Sequence, residues 1–198
     1  MLLELLKEFC VQTVSSLGYP GVFVLMLLNS ALVPVPSEII LPFAGYLSSQ
    51  GIFEFGMLLI YATTGSFVGS VLAYYLGLKF GRSFLKRYGK FVLITERKLL
   101  AVERFFQKYG DVSVFLGRLL PGLRTVISVP AGIGRMDFKK FCIYTLLGSS
   151  LWNLMFAYLG KWMGENWEKV ETILQPIKFI IILLLLAILL FFLRRRLR

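Results

Sequence analysis

Arg118 and Arg124 lie six residues apart inside an apolar stretch, residues 112–134. An arginine in the hydrocarbon zone of a bilayer costs at least ~2.5 kcal/mol on insertion scales, so two of them need a reason. On an intact helix they would point about 120° apart. Pro121-Gly122 sits between them and breaks the helix, and a turn there lets both guanidinium groups converge. The half-helix after the break is expected to start near Leu123-Arg124-Thr125, with free N–H groups at its positive end. Two guanidinium groups, the Thr125 hydroxyl and a helix N-terminus form a candidate phosphate site. The alternative is structural: the arginines pair with Glu38 and hold two elements together.

Glu38 is the second notable charge. It follows Pro36 and Ser37 and precedes Pro42, so the backbone around it is broken. A carboxyl in an apolar setting takes up a proton more readily, whereas opposite Arg118 or Arg124 it stays ionised. Exchange between those states is a workable coupling switch, and a salt bridge that locks the hairpins is the competing role. Asn153, with Asn29 and Trp152, is a secondary polar candidate that either reaches this site or ties two helices together.

Other chemistries drop out. The chain has no histidine, which removes His-based triads, His metal ligands and phospho-histidine intermediates. Cys10 and Cys142 fit no metal spacing and are expected to be buried hydrophobes. No phosphate-cradling Walker motif is present. Neither metal nor cofactor is expected, and an enzyme is the least favoured class.

The elements that must position these residues are membrane elements. Of 198 residues, 57% are hydrophobic, and the mean hydropathy is +0.75. That is more apolar surface than a soluble core of this size hides. Residues 1–16 read as an interfacial amphipathic helix and not as a cleaved signal peptide. Residues 21–33 and 39–47 are apolar but short, and the prolines between them suggest a re-entrant hairpin. Residues 55–78 form a full span rich in glycine and serine. Residues 79–108 are basic, and Leu99, Val102, Phe105, Phe106 and Tyr109 recur at helical spacing, as in a surface helix against anionic headgroups. Residues 138–159 form a second span, with Trp162 and Trp167 suited to an outer interfacial belt. Residues 177–193 are uninterrupted and apolar, closed by Arg194, Arg195, Arg196 and Arg198.

The net charge of +11 suits cytoplasmic loops beside anionic lipid better than nucleic acid. With the terminal arginines and the basic linker both cytoplasmic, 112–134 must enter and return on the cytoplasmic face. The first hairpin then dips in from outside. An internal repeat agrees with this topology. Gly65, Tyr75, Leu76, Gly77 and Gly81 match Gly148, Tyr158, Leu159, Gly160 and Gly164 at an offset of 83, and Pro34, Ala44 and Gly45 match Pro121, Ala131 and Gly132 at an offset of 87. The expected fold is therefore an all-α integral membrane protein, an inverted repeat of re-entrant helical hairpin plus transmembrane helix with a C-terminal transmembrane helix. Within the single membrane domain, 1–198, the first repeat is 17–81, the cytoplasmic linker 82–108, the second repeat 109–164 and the last span 176–193.

The stretch Phe115-Leu-Gly-Arg118-Leu-Leu-Pro121-Gly122-Leu-Arg124-Thr125, followed by Pro130-Ala131-Gly132 and Met136, resembles the signature of the DedA membrane-protein family. Pro34-Val-Pro36-Ser-Glu38-Ile-Ile-Leu-Pro42-Phe-Ala44-Gly45 resembles its other hallmark, and the match covers roughly 15–165. The resemblance implies two opposed re-entrant hairpins and lipid transport. Bacterial members are linked to undecaprenyl phosphate recycling or phospholipid translocation driven by the proton gradient, and eukaryotic relatives are scramblases. It maps the family's essential acid onto Glu38 and its essential arginines onto Arg118 and Arg124. Proton-dependent members carry a second acid about a dozen residues after the first. Here that position is Gln50, and the nearest acid is Glu54.

The expected function is a flippase for a lipid phosphate in the cell membrane, multi-pass with a cytoplasmic C-terminus. Arg118, Arg124 and Thr125 would hold the headgroup, Glu38 and Glu54 would serve proton coupling, and Pro36, Ser37, Pro121, Gly122 and Asn153 would support them. The expected partners are the lipid phosphate or phospholipid, protons, and anionic lipid at the linker. No nucleic acid partner is expected, and a homodimer is left open. The rival functions are an uncoupled phospholipid scramblase and a non-transport interaction protein.

Overall fold

The computed structural model describes residues 2–33, 35–88, 106 and 109–166. Among them the chain is helical wherever it is regular, with no strand. The helices are α1 (Leu2–Leu17), α2 (Tyr19–Ser30), α3 (Ser37–Ser49), α4 (Phe55–Tyr88), α5 (Ser113–Arg118), α6 (Ser128–Ile133) and α7 (Phe138–Glu165). Nearly all of the linker 89–108 and the expected last span 176–193 lie outside the described residues.

Helix length sorts these elements. α4 and α7 are each long and apolar enough to cross a membrane. At 12 and 13 residues, α2 and α3 reach roughly 18 and 20 Å, well short of a ~30 Å hydrocarbon core. At six residues each, α5 and α6 are shorter still. Two short-helix pairs thus pack around two long helices. α2 and α6 pack against α4, while α3 and α5 pack against α7.

Small residues set these approaches. Gly45 on α3 lies against the Ala157 carbonyl on α7, and Gly132 on α6 against the Tyr74 carbonyl on α4. Gly160 on α7 meets the Pro42 carbonyl, and Gly77 on α4 meets that of Val129. A Cβ at any of the four would collide with backbone, so glycine is the residue that lets the helices touch. The sequence offsets relate these contacts in pairs. Gly45 and Gly132 stand 87 apart, as do Pro42 and Val129; Ala157 and Tyr74 stand 83 apart, as do Gly160 and Gly77.

The outward faces of the long helices are apolar. Met57, Ile60, Val68 and Leu72 on α4, and Ile143, Leu147, Leu151 and Met155 on α7, are exposed. In water such a surface marks an interaction site; around two membrane-length helices it suits lipid.

Three features differ from expectation: the end of α4, the burial of Cys142 and the start of α6. α4 does not stop near Leu78 but runs on to Tyr88, through Gly81 and with no proline to end it. The N-terminal helix α1 turns Cys10 and Val14 into the core around α2 and α3, whereas Cys142 is only half-buried; both cysteines are free. After Pro121-Gly122 the chain does not resume a helix at Leu123. It continues as turns and becomes helical at Ser128. The amides of Arg124, Val126 and Ile127 are bonded back to the carbonyls of Leu120, Leu123 and Leu123. The positive helix end expected at Leu123-Arg124-Thr125 is therefore absent.

Candidate functional site

The turn at 119–127 is opened by Gly122, whose φ of 78° suits glycine. Arg118 directly precedes it, on the last turn of α5, and Arg124 lies within it. Both side chains are buried, at 3% and 7% exposure, and their guanidinium groups lie within electrostatic reach of each other.

Their partners are neutral. Arg118 donates from Nη1 to the Ser149 hydroxyl on α7 at 3.1 Å and from Nη2 to the Ser128 hydroxyl on α6 at 2.8 Å. Arg124 donates from Nη2 to Asn29 Oδ1 at 2.9 Å, and its guanidinium lies 4.8 Å from the ring centre of Trp152. Arg118 Nε, Arg124 Nη1 and the Trp152 indole N–H remain buried without an acceptor. Each such orphan costs about 1–3 kcal/mol. Asn153, fully buried, donates to Thr63 at 3.2 Å and Ser66 at 3.4 Å on α4, and its Oδ1 has no partner.

Glu38 does not form the expected salt bridge. It is exposed, accepts from the Ser37 hydroxyl at 3.1 Å, and lies within electrostatic reach of Arg124 without pairing to it. Helical spacing explains this. Ser37, Ile40, Leu41, Ala44, Gly45 and Ser48 take the buried face of α3, and Glu38 falls at the border of that face, not inside it. Pro36 precedes the first turn of α3, and Pro42 within the helix cannot donate to the Glu38 carbonyl.

Glu54 stands elsewhere. Its carboxylate accepts from the amides of Gly56 and Met57, both at 2.9 Å, and so caps the start of α4. Its own amide donates to the hydroxyl of Tyr19 at the start of α2. Arg124 meets Asn29 ten residues further along α2, roughly 15 Å away. Thr125 is half-buried in the arginine turn, and Pro121 is exposed at its tip.

Ser128 and Ser149 escaped notice in the sequence because serine is common in membrane helices. A signal was available for Ser149, which lies one turn before Asn153 and 83 residues after Ser66. Asn29 and Trp152, secondary in the sequence, turn out to hold Arg124 directly.

The VTT domain profile matches residues 35–162, which include both arginines, Glu38 and both long apolar helices. The chain belongs to the DedA family of VTT-domain membrane proteins. Undecaprenyl phosphate transporter A of Bacillus subtilis (strain 168) is 38% identical over 159 residues, covering 80% of this chain and 78% of that protein. The Staphylococcus aureus (strain NCTC 8325 / PS 47) protein of the same name is 33% identical over 171 residues, covering 84% of each. Protein DedA of Escherichia coli (strain K12) is 27% identical over 168 residues, covering 82% and 74%. No solved structure matches. The DedA motif stretches quoted above thus fall on α5, the arginine turn and α6 in one half, and on α3 and its approach in the other.

Proposed function

We propose that this DedA-family protein carries a lipid phosphate across the cell membrane, with undecaprenyl phosphate as the leading substrate. One observation carries this: two buried arginines have only neutral hydrogen-bond partners and leave donors unused. A structural lock would pair those charges with a carboxylate. A phosphate supplies the missing charge and several acceptor oxygens at once. The names of two relatives point to the same substrate class.

The architecture that fits this role is an inverted repeat. The paired glycine contacts at offsets of 87 and 83 support it, because each hairpin meets the span of the other half in the same way. Two hairpins too short to cross would enter from opposite faces and bring their turns together at mid-membrane. Arg124 of one hairpin bonded to Asn29 of the other is what that arrangement requires. The C-terminus is cytoplasmic, with the basic linker on the same side against anionic lipid. The tail stays in the bilayer while the headgroup passes through the arginine turn. The protein acts as a transporter without a catalytic step, and Glu38, exposed near Arg124, supplies proton coupling.

Purified protein in liposomes tests the proposal. Labelled undecaprenyl phosphate should cross faster than in empty vesicles, and phosphatidylethanolamine should not. Equal movement of both lipids without any gradient makes the protein a scramblase. Movement of neither rejects transport.

A further inference from the structure

We propose that Asn29 is a positioning residue that sets the orientation of Arg124 and couples it to the turn of the first hairpin. Asn29 is the penultimate residue of α2, 4% exposed, in a helix otherwise dominated by apolar side chains. A carboxamide in that position needs partners, and it has two. Its Nδ2 donates to the Val35 carbonyl, in the segment between α2 and α3, and its Oδ1 accepts from Arg124 Nη2 at 2.9 Å.

The direction of this relay is fixed by chemistry. A backbone carbonyl only accepts and a guanidinium only donates, so the amide fits one way round. Few other side chains of this size can do both. Leucine keeps the bulk without either bond, and aspartate keeps the acceptor but faces Val35 with a second oxygen. Asn29 takes Nη2 from one side while Trp152 lies at 4.8 Å, and Nη1 is buried without a partner. Asn29 therefore decides which edge of Arg124 faces a ligand. Val35 directly precedes Pro36, Ser37 and Glu38, so movement of that turn is transmitted through one amide to the guanidinium.

The indole beside Arg124 gives a test that needs no transport. The full chain in detergent carries Trp162→Phe and Trp167→Phe, which leaves Trp152 as the single indole. Asn29→Ala should move Trp152 emission as far as Arg124→Ala does, and the double variant should move it no further. Asn29→Asp, which keeps an oxygen toward Nη2 but has no donor for Val35, should bring the emission back only part of the way. Where Asn29→Ala does not purify, Asn29→Leu takes its place. An emission spectrum unchanged by Asn29→Ala but changed by Arg124→Ala overturns the proposal, as do additive shifts.

A second measurement rests on the lipid-phosphate function. Undecaprenyl phosphate should bind Asn29→Ala about tenfold more weakly than the parent, the loss set by one charge-assisted hydrogen bond. In an Arg124→Ala background the same change should cost nothing more. A tenfold loss that persists without Arg124 overturns the coupling. If the parent itself binds no undecaprenyl phosphate while the spectra behave as stated, the transport function fails and the positioning role stands.

Discussion

Arg118 spends two N–H groups on hydroxyls from two different helices, and that geometry needs a planar fork. Lysine carries the same charge on a single nitrogen, so its three donors radiate from one point and do not reproduce the two separate nitrogens that reach Ser149 and Ser128. Arg118→Lys and Arg124→Lys should therefore insert and fold yet lose at least nine-tenths of undecaprenyl phosphate flux in liposomes. Full flux in either variant would remove the arginines from headgroup binding. Ser149→Ala should act more gently. It removes one acceptor from a charged donor, so binding of undecaprenyl phosphate should weaken severalfold in a detergent titration. The arginines were legible in the sequence because a charge in an apolar run stands out on composition alone. Their partners were not, because Asn29 lies 95 residues from Arg124 and only the tertiary fold brings them together. Glu38 shows the reverse: its residue type was legible, but which face of α3 it occupies depends on helix phase, and a proline-flanked stretch hides that phase.

The turn at 119–127 and the glycine crossings belong to the scale of elements. Gly122 has φ of 78°, and a Cβ there would meet nothing within 4 Å. The cost of Gly122→Ala is then backbone strain alone, about 1–2 kcal/mol, and should lower thermal stability in detergent without blocking folding. Gly160 differs, because a Cβ would strike the Pro42 backbone. Gly160→Val should yield no monodisperse protein, since α3 cannot retreat from α7 without opening the hairpin. A well-folded Gly160→Val variant would show that this contact is not needed. The short helix pairs and the two long apolar helices were legible from apolar length and proline breaks. Helix ends were less so. α4 passes Leu78 because 79–88 holds no proline and a single glycine does not end it, and α6 starts late because residues 121–127 satisfy several amides by turn bonds. Hydropathy measures where a segment lies, whereas a helix end is set by local hydrogen bonding.

At the scale of the molecule the question is which side each turn can be reached from, and how a gradient could act on the site. The charge asymmetry predicts Glu165 outside and the terminal arginines inside. A cysteine at position 165, with Cys10 and Cys142 replaced by alanine, should react with an impermeant maleimide on intact cells. Reaction only after lysis would invert the topology. With that orientation, Glu38 sits on the hairpin that enters from outside, within electrostatic reach of Arg124 yet unpaired. In the proposed coupling, an ionised Glu38 would compete with a phosphate for the positive potential of the arginine turn. A proton taken from the outer face would end that competition and favour phosphate capture there. Its release inward would restore the competition and help expel the phosphate. Glu38→Gln keeps the shape and removes the titration. It should still bind undecaprenyl phosphate with at least parental affinity, while its flux in liposomes no longer responds to an imposed pH gradient. Glu38→Asp should respond partially, because the shorter side chain reaches less far toward Arg124. Glu54 is the control: as a helix cap roughly 15 Å from the Asn29–Arg124 contact, Glu54→Gln should lower stability and leave the gradient response intact. A Glu38→Gln protein that follows the gradient as the parent does would exclude Glu38 as the coupling group, and a parent that ignores the gradient would leave an uncoupled carrier.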